Sequence, residues 1–161
     1  MTWPHIAMAD LPVPPSTERF RLDPLAPEHN DRDHAAWMSS IEHIRSTDGF
    51  GDGSWGSDAW PFEMTGEQNL GDLEMHWREF CRGEAYAYTV LDPATDDVIG
   101  CVYIDPNTNP DATDAADAMV RSWVRASHAE LDGAVACAVD EWLRSSWPFG
   151  RVRWPGRTIT R

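Results

Sequence analysis

Ala85-Tyr86-Ala87-Tyr88-Thr89-Val90-Leu91, Asp92-Pro93-Ala94-Thr95-Asp96-Asp97, Val98-Ile99-Gly100-Cys101-Val102-Tyr103-Ile104 is the passage that decides the fold. Two runs rich in β-branched and aromatic residues flank a turn of Asp, Pro and Thr, which is the pattern of a β-hairpin. Immediately upstream, Thr65-Gly66-Glu67-Gln68 reads as a capping box. In that motif a hydroxyl and an amide side chain satisfy the orphan N–H groups at a helix start. The helix it opens carries Leu70, Leu73, Trp77 and Phe80 on one stripe and stops at Gly83.

Further out the elements continue. Downstream, an acidic loop from Asp105 to Asp117 leads to a strand, Met119-Val120-Arg121-Ser122-Trp123-Val124. Ser127-His128-Ala129-Glu130 then reads as a second capping box, opening a helix with Leu131, Val135, Ala138 and Trp142 along one side. Pro148 ends that region, and Arg151-Val152-Arg153-Trp154 predicts a last short strand. Upstream of Thr65, the stretch from Thr47 to Phe62 is glycine-rich yet carries four large aromatic residues. Such a loop is either a lid over a ligand or an Ω-loop pinned by its own rings. From Pro27 to about Arg45, apolar residues at Ala35, Met38, Ile41 and Ile44 recur near a helical period. Phe20 to Leu25 alternates as a first strand closed by Pro24. Residues 1–15 are proline-rich and read as an arm, leaving 16–161 as one domain.

The chain has 161 residues and a net charge of −14. All 13 basic residues are Arg. So acidic a surface repels phosphate backbones and anionic lipid, which argues against nucleic-acid and membrane partners and slows the approach of an anionic cofactor. Cys81, Cys101 and Cys137 are widely spaced and form no CxxC pair, so neither a zinc knuckle nor a disulfide framework is expected, and Cys101 and Cys137 read as core thiols. The first fifteen residues lack the basic and apolar regions of a signal peptide, and no run is long enough to span a bilayer. The expectation is a protein of the bacterial cytosol.

The order strand, two helices, hairpin, strand, helix, strand, with Val98–Ile104 followed by Ser122-Trp123-Val124-Arg125, resembles the GNAT acetyltransferase family from about Phe20 to Trp154. The resemblance implies an α/β (α+β) fold with a mixed, mostly antiparallel sheet and helices on both faces. It implies acyl transfer from acetyl-CoA to an amine of a small molecule. In that family the strand before the main helix splays from its neighbour and pairs with the pantetheine arm, and a glycine-rich loop wraps the pyrophosphate. Carried over, Val124, Arg125, Ala126 and Ser127 are the cofactor-binding positions. Here the loop reads Arg125-Ala126-Ser127-His128-Ala129-Glu130-Leu131-Asp132-Gly133, without the early glycines that let backbone approach a diphosphate. A capping box at Ser127 and Glu130 would fill the anion site with the chain's own side chains. Met119 stands where many members carry a glutamate, and no tyrosine follows Tyr103. The edge left by the family's last strands is expected to be completed by a partner chain, making a homodimer.

The residues themselves suggest the rest. Arg121 shares a strand face with Met119 and Trp123, where a charge needs a partner or an anionic ligand. Tyr103 and Asp105 share a face near the cleft mouth, and Asp105 is a candidate general base. His43, beside the aromatic loop, is a second candidate acid or base. Trp123 and Trp60 are expected to line the substrate site with Tyr103 and Arg121. His29 and Asp33 have helical ligand spacing but lack a third ligand, so no metal is expected. The alternatives left open are a small anionic ligand bound or converted without CoA, and a non-catalytic dimeric domain.

Overall fold

The computed structural model describes residues 3–51, 60–108 and 117–160. The centre of the Thr47–Phe62 loop and most of the Asp105–Asp117 loop, both singled out above, lie outside the described residues. The elements are β1 (Arg21–Pro24), α1 (Asn30–Met38), α2 (Ile41–Arg45), α3 (Gly66–Arg82), β2 (Tyr86–Leu91), β3 (Val98–Pro106), β4 (Ala118–Val124), α4 (Asp132–Ser146) and β5 (Val152–Arg153). The five strands lie in sequence order. β1 to β4 are antiparallel neighbours, and β5 joins β4 in parallel at two residue pairs, Ala118 with Val152 and Met119 with Arg153. The α/β architecture, with helices on both faces of a mostly antiparallel sheet, is as the sequence implies.

The hairpin is built as its composition dictates. In the β3–β4 ladder Cys101 stands opposite Trp123 and Tyr103 opposite Arg121. Alternation sends these side chains to one face, where they pack with Trp37, Ile44, Phe50 and Leu73 from the α1–α3 side. The other face carries Tyr88, Val102, Ile104, Val120 and Val124 against Val135, Val139 and Leu143 of α4. Trp123 is fully buried, and its indole N–H donates to the Tyr103 hydroxyl at 3.0 Å, so the ring is buried without an orphaned donor.

The α3 box forms as read. Gln68 N–H donates to Thr65 Oγ1 at 3.1 Å, and Thr65 N–H to Gln68 Oε1 at 2.9 Å. Gly83 ends the helix at φ 66°, in the left-handed conformation that glycine adopts without strain. Two other expectations are corrected. The stretch Pro27–Arg45 is broken: a 3-10 turn at Pro27–His29 precedes α1, and Ser39 and Ser40 separate α1 from α2. Ser39 Oγ donates back to the Ala36 carbonyl at 2.8 Å, a local bond that competes with the helix ladder. The helix is also rolled, so that Ala36 and Trp37 are buried and Ala35 is exposed. Ser127 and Glu130 form no capping box: residues Ala126–Leu131 are a 3-10 segment without a side-chain cap, and α4 starts at Asp132. Glu130 instead pairs with Arg19 at 3.3 Å.

The arm is held to the body. Trp3 donates to the Gly83 carbonyl at 2.8 Å and stacks on Tyr86, whose hydroxyl accepts from Ile6 N–H at 3.0 Å. Among the described residues, no helix is long and apolar enough to cross a membrane.

Gly100 lets β3 and β4 approach, because a Cβ there would strike the Trp123 carbonyl. Gly71, inside α3, has open space around it. Gly100→Ala should therefore destabilise by ~2 kcal/mol through forced separation of the strands. Gly71→Ala should stabilise by up to ~1 kcal/mol through helix propensity. Urea midpoints of the two variants that move the same way would contradict this reading.

Candidate functional site: an acidic aromatic cavity

A cavity of about 760 Å³ lies between α1, α3 and the Tyr103 face of the sheet. α1 contributes Asp33 and Trp37, and β3 and β4 contribute Tyr103, Asp105, Met119 and Arg121. α3 contributes Asn69, Asp72, His76 and Glu79, which at steps of three, four and three form one stripe. Trp60, Phe62 and Met64 close one side. Trp60 meets Trp37 edge-on at 5.5 Å and Tyr103 at 6.4 Å between centroids.

The wall is strongly acidic. Asp33, Asp72, Glu79, Glu84 and Asp105 line it, and among the described lining residues Arg121 is the single Arg. Arg121 Nε already donates to the Gly49 carbonyl at 3.2 Å. Asp33 is buried and held by Asn69 Nδ2 at 3.0 Å, while Asn69 Oδ1 accepts from the Trp37 indole at 3.1 Å. Burial pushes the Asp33 carboxyl from 3.8 up to about 6, partly offset by the Asn69 bond. Burial also raises Asp72. Burial, and then the neighbouring Asp105 and Glu84 carboxylates, raise Glu79. His76, tilted against Tyr103 with centroids 5.6 Å apart, is pushed down to about 4 by burial and stays a neutral imidazole.

Of the residues singled out in the sequence, Tyr103, Asp105, Arg121 and Trp60 meet in this cavity. Trp123 lies beneath it, supporting Tyr103. His43, on α2, is absent from the lining; its backbone carbonyl accepts from the Ser46 and Thr47 hydroxyls. His29 and Asp33 do not converge, since His29 Nδ1 accepts from Ala26 N–H and Asp33 faces Asn69. No group of three metal-ligating side chains occurs among the described residues. Asp33 was weighed only as a metal ligand, and Asn69, Asp72, His76 and Glu79 were not anticipated. Their signal was a polar stripe beside the apolar stripe of α3.

The residues that the resemblance assigns to the cofactor, Val124 to Ser127, lie at the end of β4, past the two pairs that β5 makes. As arranged, they do not fit acetyl-CoA. Ala126 N–H donates to Ser40 Oγ at 2.9 Å. The Arg125 guanidinium donates to the Val98 carbonyl and to Ser39 Oγ, both at 3.3 Å, which leaves its buried Nε without a partner. Ser127 Oγ lies 2.8 Å from His128 Nδ1. Arg157 lies alongside the same stretch of β4, donating to the Ser122 carbonyl at 3.2 Å.

No family model matches this chain, and no curated protein does. Solved structures do. A ribosomal-protein-S5-alanine acetyltransferase from Vibrio fischeri superposes with a TM-score of 0.64 at 13% identity, over 89% of this chain and 73% of that one. An acetyltransferase from Salmonella typhimurium that modifies the N-terminal serine of ribosomal protein L7/L12 gives 0.55 at 14%, over 87% and 71%. The ribosomal L7/L12 alpha-N-protein acetyltransferase RimL, in complex with coenzyme A, gives 0.58 at 11%, over 84% and 70%. The likeness is one of fold, and the fold is GNAT-like.

Asp33 and His76 make opposite pH signatures. Folded Asp33 holds its proton more tightly than the unfolded chain does. Its contribution is therefore greatest in acid and declines, by on the order of 2–3 kcal/mol, between about pH 4 and 6. Folded His76 resists the proton that the unfolded chain accepts near 6.5, so its contribution is full above pH 6.5 and is lost toward about pH 4. Relative to the unaltered protein, Asp33→Asn should gain stability as the pH rises from 4 to 6.5, and His76→Gln should lose it. Urea midpoints at pH 4, 5, 6 and 7 check this; same-signed slopes would refute the assignment.

Proposed function

We propose that the cavity receives a small organic amine in its cationic form, and that the chain is an N-acyltransferase-like protein with this amine as acceptor. The carrying observation is the lining: among the described residues, five that bear a carboxyl group and the rings of Trp37, Trp60, Phe62 and Tyr103 surround about 760 Å³. An ammonium gains from both, by charge-assisted hydrogen bonds to carboxylates and by attraction to ring faces. Glu79 is raised first by burial and then by Asp105 and Glu84, and the ammonium relieves that second, repulsive part. An anionic ligand would meet these carboxylates with Arg121 alone to offset them, so the amine is preferred to an anion.

To act as a nucleophile the bound ammonium must lose a proton. Asp105, at the sheet end of the cavity, is the proposed acceptor, and Glu79 holds the cation beside it. His76, neutral across the physiological range, can accept a hydrogen bond from the amine without repelling it. No step is derived through acetyl-CoA, because the donor side does not fit it as arranged. That misfit favours a second reading, amine binding without acyl transfer.

Calorimetric titration with tryptamine, phenethylamine and spermidine, and with indole-3-propionate as an anionic control, tests the class of ligand. The expected result is binding of at least one amine and no heat from the carboxylate. Amine affinity should rise as the pH goes from 4 to 7, as the carboxyl groups ionise. Asp105→Asn and Glu79→Gln should each weaken it about tenfold, equivalent to ~1.4 kcal/mol. Tighter binding of the carboxylate than of every amine would refute the proposal.

A further inference from the structure

The residues after β5 turn back onto the slot that the resemblance assigns to the donor. Trp154-Pro155-Gly156-Arg157 is a tight turn closed by Arg157 N–H to the Trp154 carbonyl at 3.1 Å, with Gly156 at φ 70°, the geometry that a Pro-Gly pair favours. The turn seats against Gly49, where a Cβ would come within 3.3 Å of the Pro155 carbonyl. Trp154 is buried and donates to Asp140 Oδ1 at 3.1 Å. The turn therefore holds Arg157 in place.

The Arg157 side chain is only 9% exposed. It grips Asp132, the first residue of α4, through two bonds of 2.7 and 3.2 Å, and donates to the Ser122 carbonyl at 3.2 Å. β5 pairs with β4 only at Ala118 and Met119, so Ser122 lies where the two strands are no longer joined. One guanidinium thus takes a strand carbonyl in the β4–β5 wedge and places a cation–carboxylate pair at the start of α4. A helix start is where an anion would gain from the free N–H groups and the dipole.

We propose that Arg157 is an internal competitor of an acyl-CoA donor: its segment, 154–160, and the donor contend for the wedge between β4 and β5. Moving the segment frees the Ser122 carbonyl. The proposal stands apart from the amine reading, whose ligand is titrated separately.

The test is titration of acetyl-CoA into the unaltered protein, Arg157→Ala and Asp132→Asn, with hydrogen exchange on the unaltered protein with and without acetyl-CoA. Arg157→Ala should bind at least tenfold more tightly than the unaltered protein. Asp132→Asn, which keeps the Ser122 bond, should fall between them and serves if Arg157→Ala does not fold. Saturating acetyl-CoA on the unaltered protein should loosen amide protection in 154–160 by tenfold or more. Equal affinities, binding that leaves protection in 154–160 unchanged, or no binding by any of the three proteins would each overturn the competition. Amine affinity should be the same in all three, so its loss would count against the cavity reading alone.

Discussion

The pairing of β3 with β4 decides which side chains reach which layer. With Cys101 opposite Trp123 and Tyr103 opposite Arg121, these four side chains face α1 and α3. Val102, Ile104, Val120 and Val124 face α4. Because side chains alternate with a period of two, a slip of one residue would drive Arg121 into the apolar layer and turn Val120 toward the cavity. Neither layer tolerates that exchange, since an unpaired charge in the α4 layer costs several kcal/mol. Core and cavity are therefore two consequences of one register, which Gly100 permits by letting the backbones meet.

What could be read from the residues follows the range of the interactions. The hairpin, the Thr65 box and the Gly83 stop are set by neighbours a few positions apart, and all three stand as read. The cavity was half legible: Tyr103, Asp105 and Arg121 follow from strand alternation, and Trp60 from its unusual loop. The α3 face was missed because apolar periodicity was the signal sought, and Asn69, Asp72, His76 and Glu79 are invisible to it. The break at Ser39 was open to a local argument, since serine hydroxyls compete for helix carbonyls. The supposed box at Ser127 failed because other partners, Arg19 for Glu130 and the His128 ring for the Ser127 hydroxyl, engaged both of its side chains. Arg157 carried no local signal, since its partners lie 25 and 35 positions away.

The two sides of the fold differ in how their charges are satisfied. On the cavity side several carboxyl groups crowd together, held above their ordinary range by burial and by one another, so a visiting cation relieves a standing cost. On the β4–β5 side Arg157 and Asp132 satisfy each other, and an anion there gains only by displacing one of them. A net charge of −14 reinforces the contrast at long range, attracting cations to the molecule and slowing anions.

The arm that packs on Tyr86 has a consequence for how the protein is made. Trp3, Ile6 and Leu11, together with Val152 and Ile159, all settle against the layer between the sheet and α4, whereas the buried members of the other layer run only from Leu25 to Trp123. A chain leaving the ribosome therefore holds every described buried residue of the α1–α3 cluster once Trp123 has emerged. The α4 layer must wait for α4 itself and for Val152 and Ile159. Until α4 and the last residues arrive, Tyr88, Val102 and Val120 present a bare apolar surface, the kind on which nascent chains aggregate or are captured by chaperones. In synthesis, then, Trp3, Ile6 and Leu11 are among the last residues to find their place.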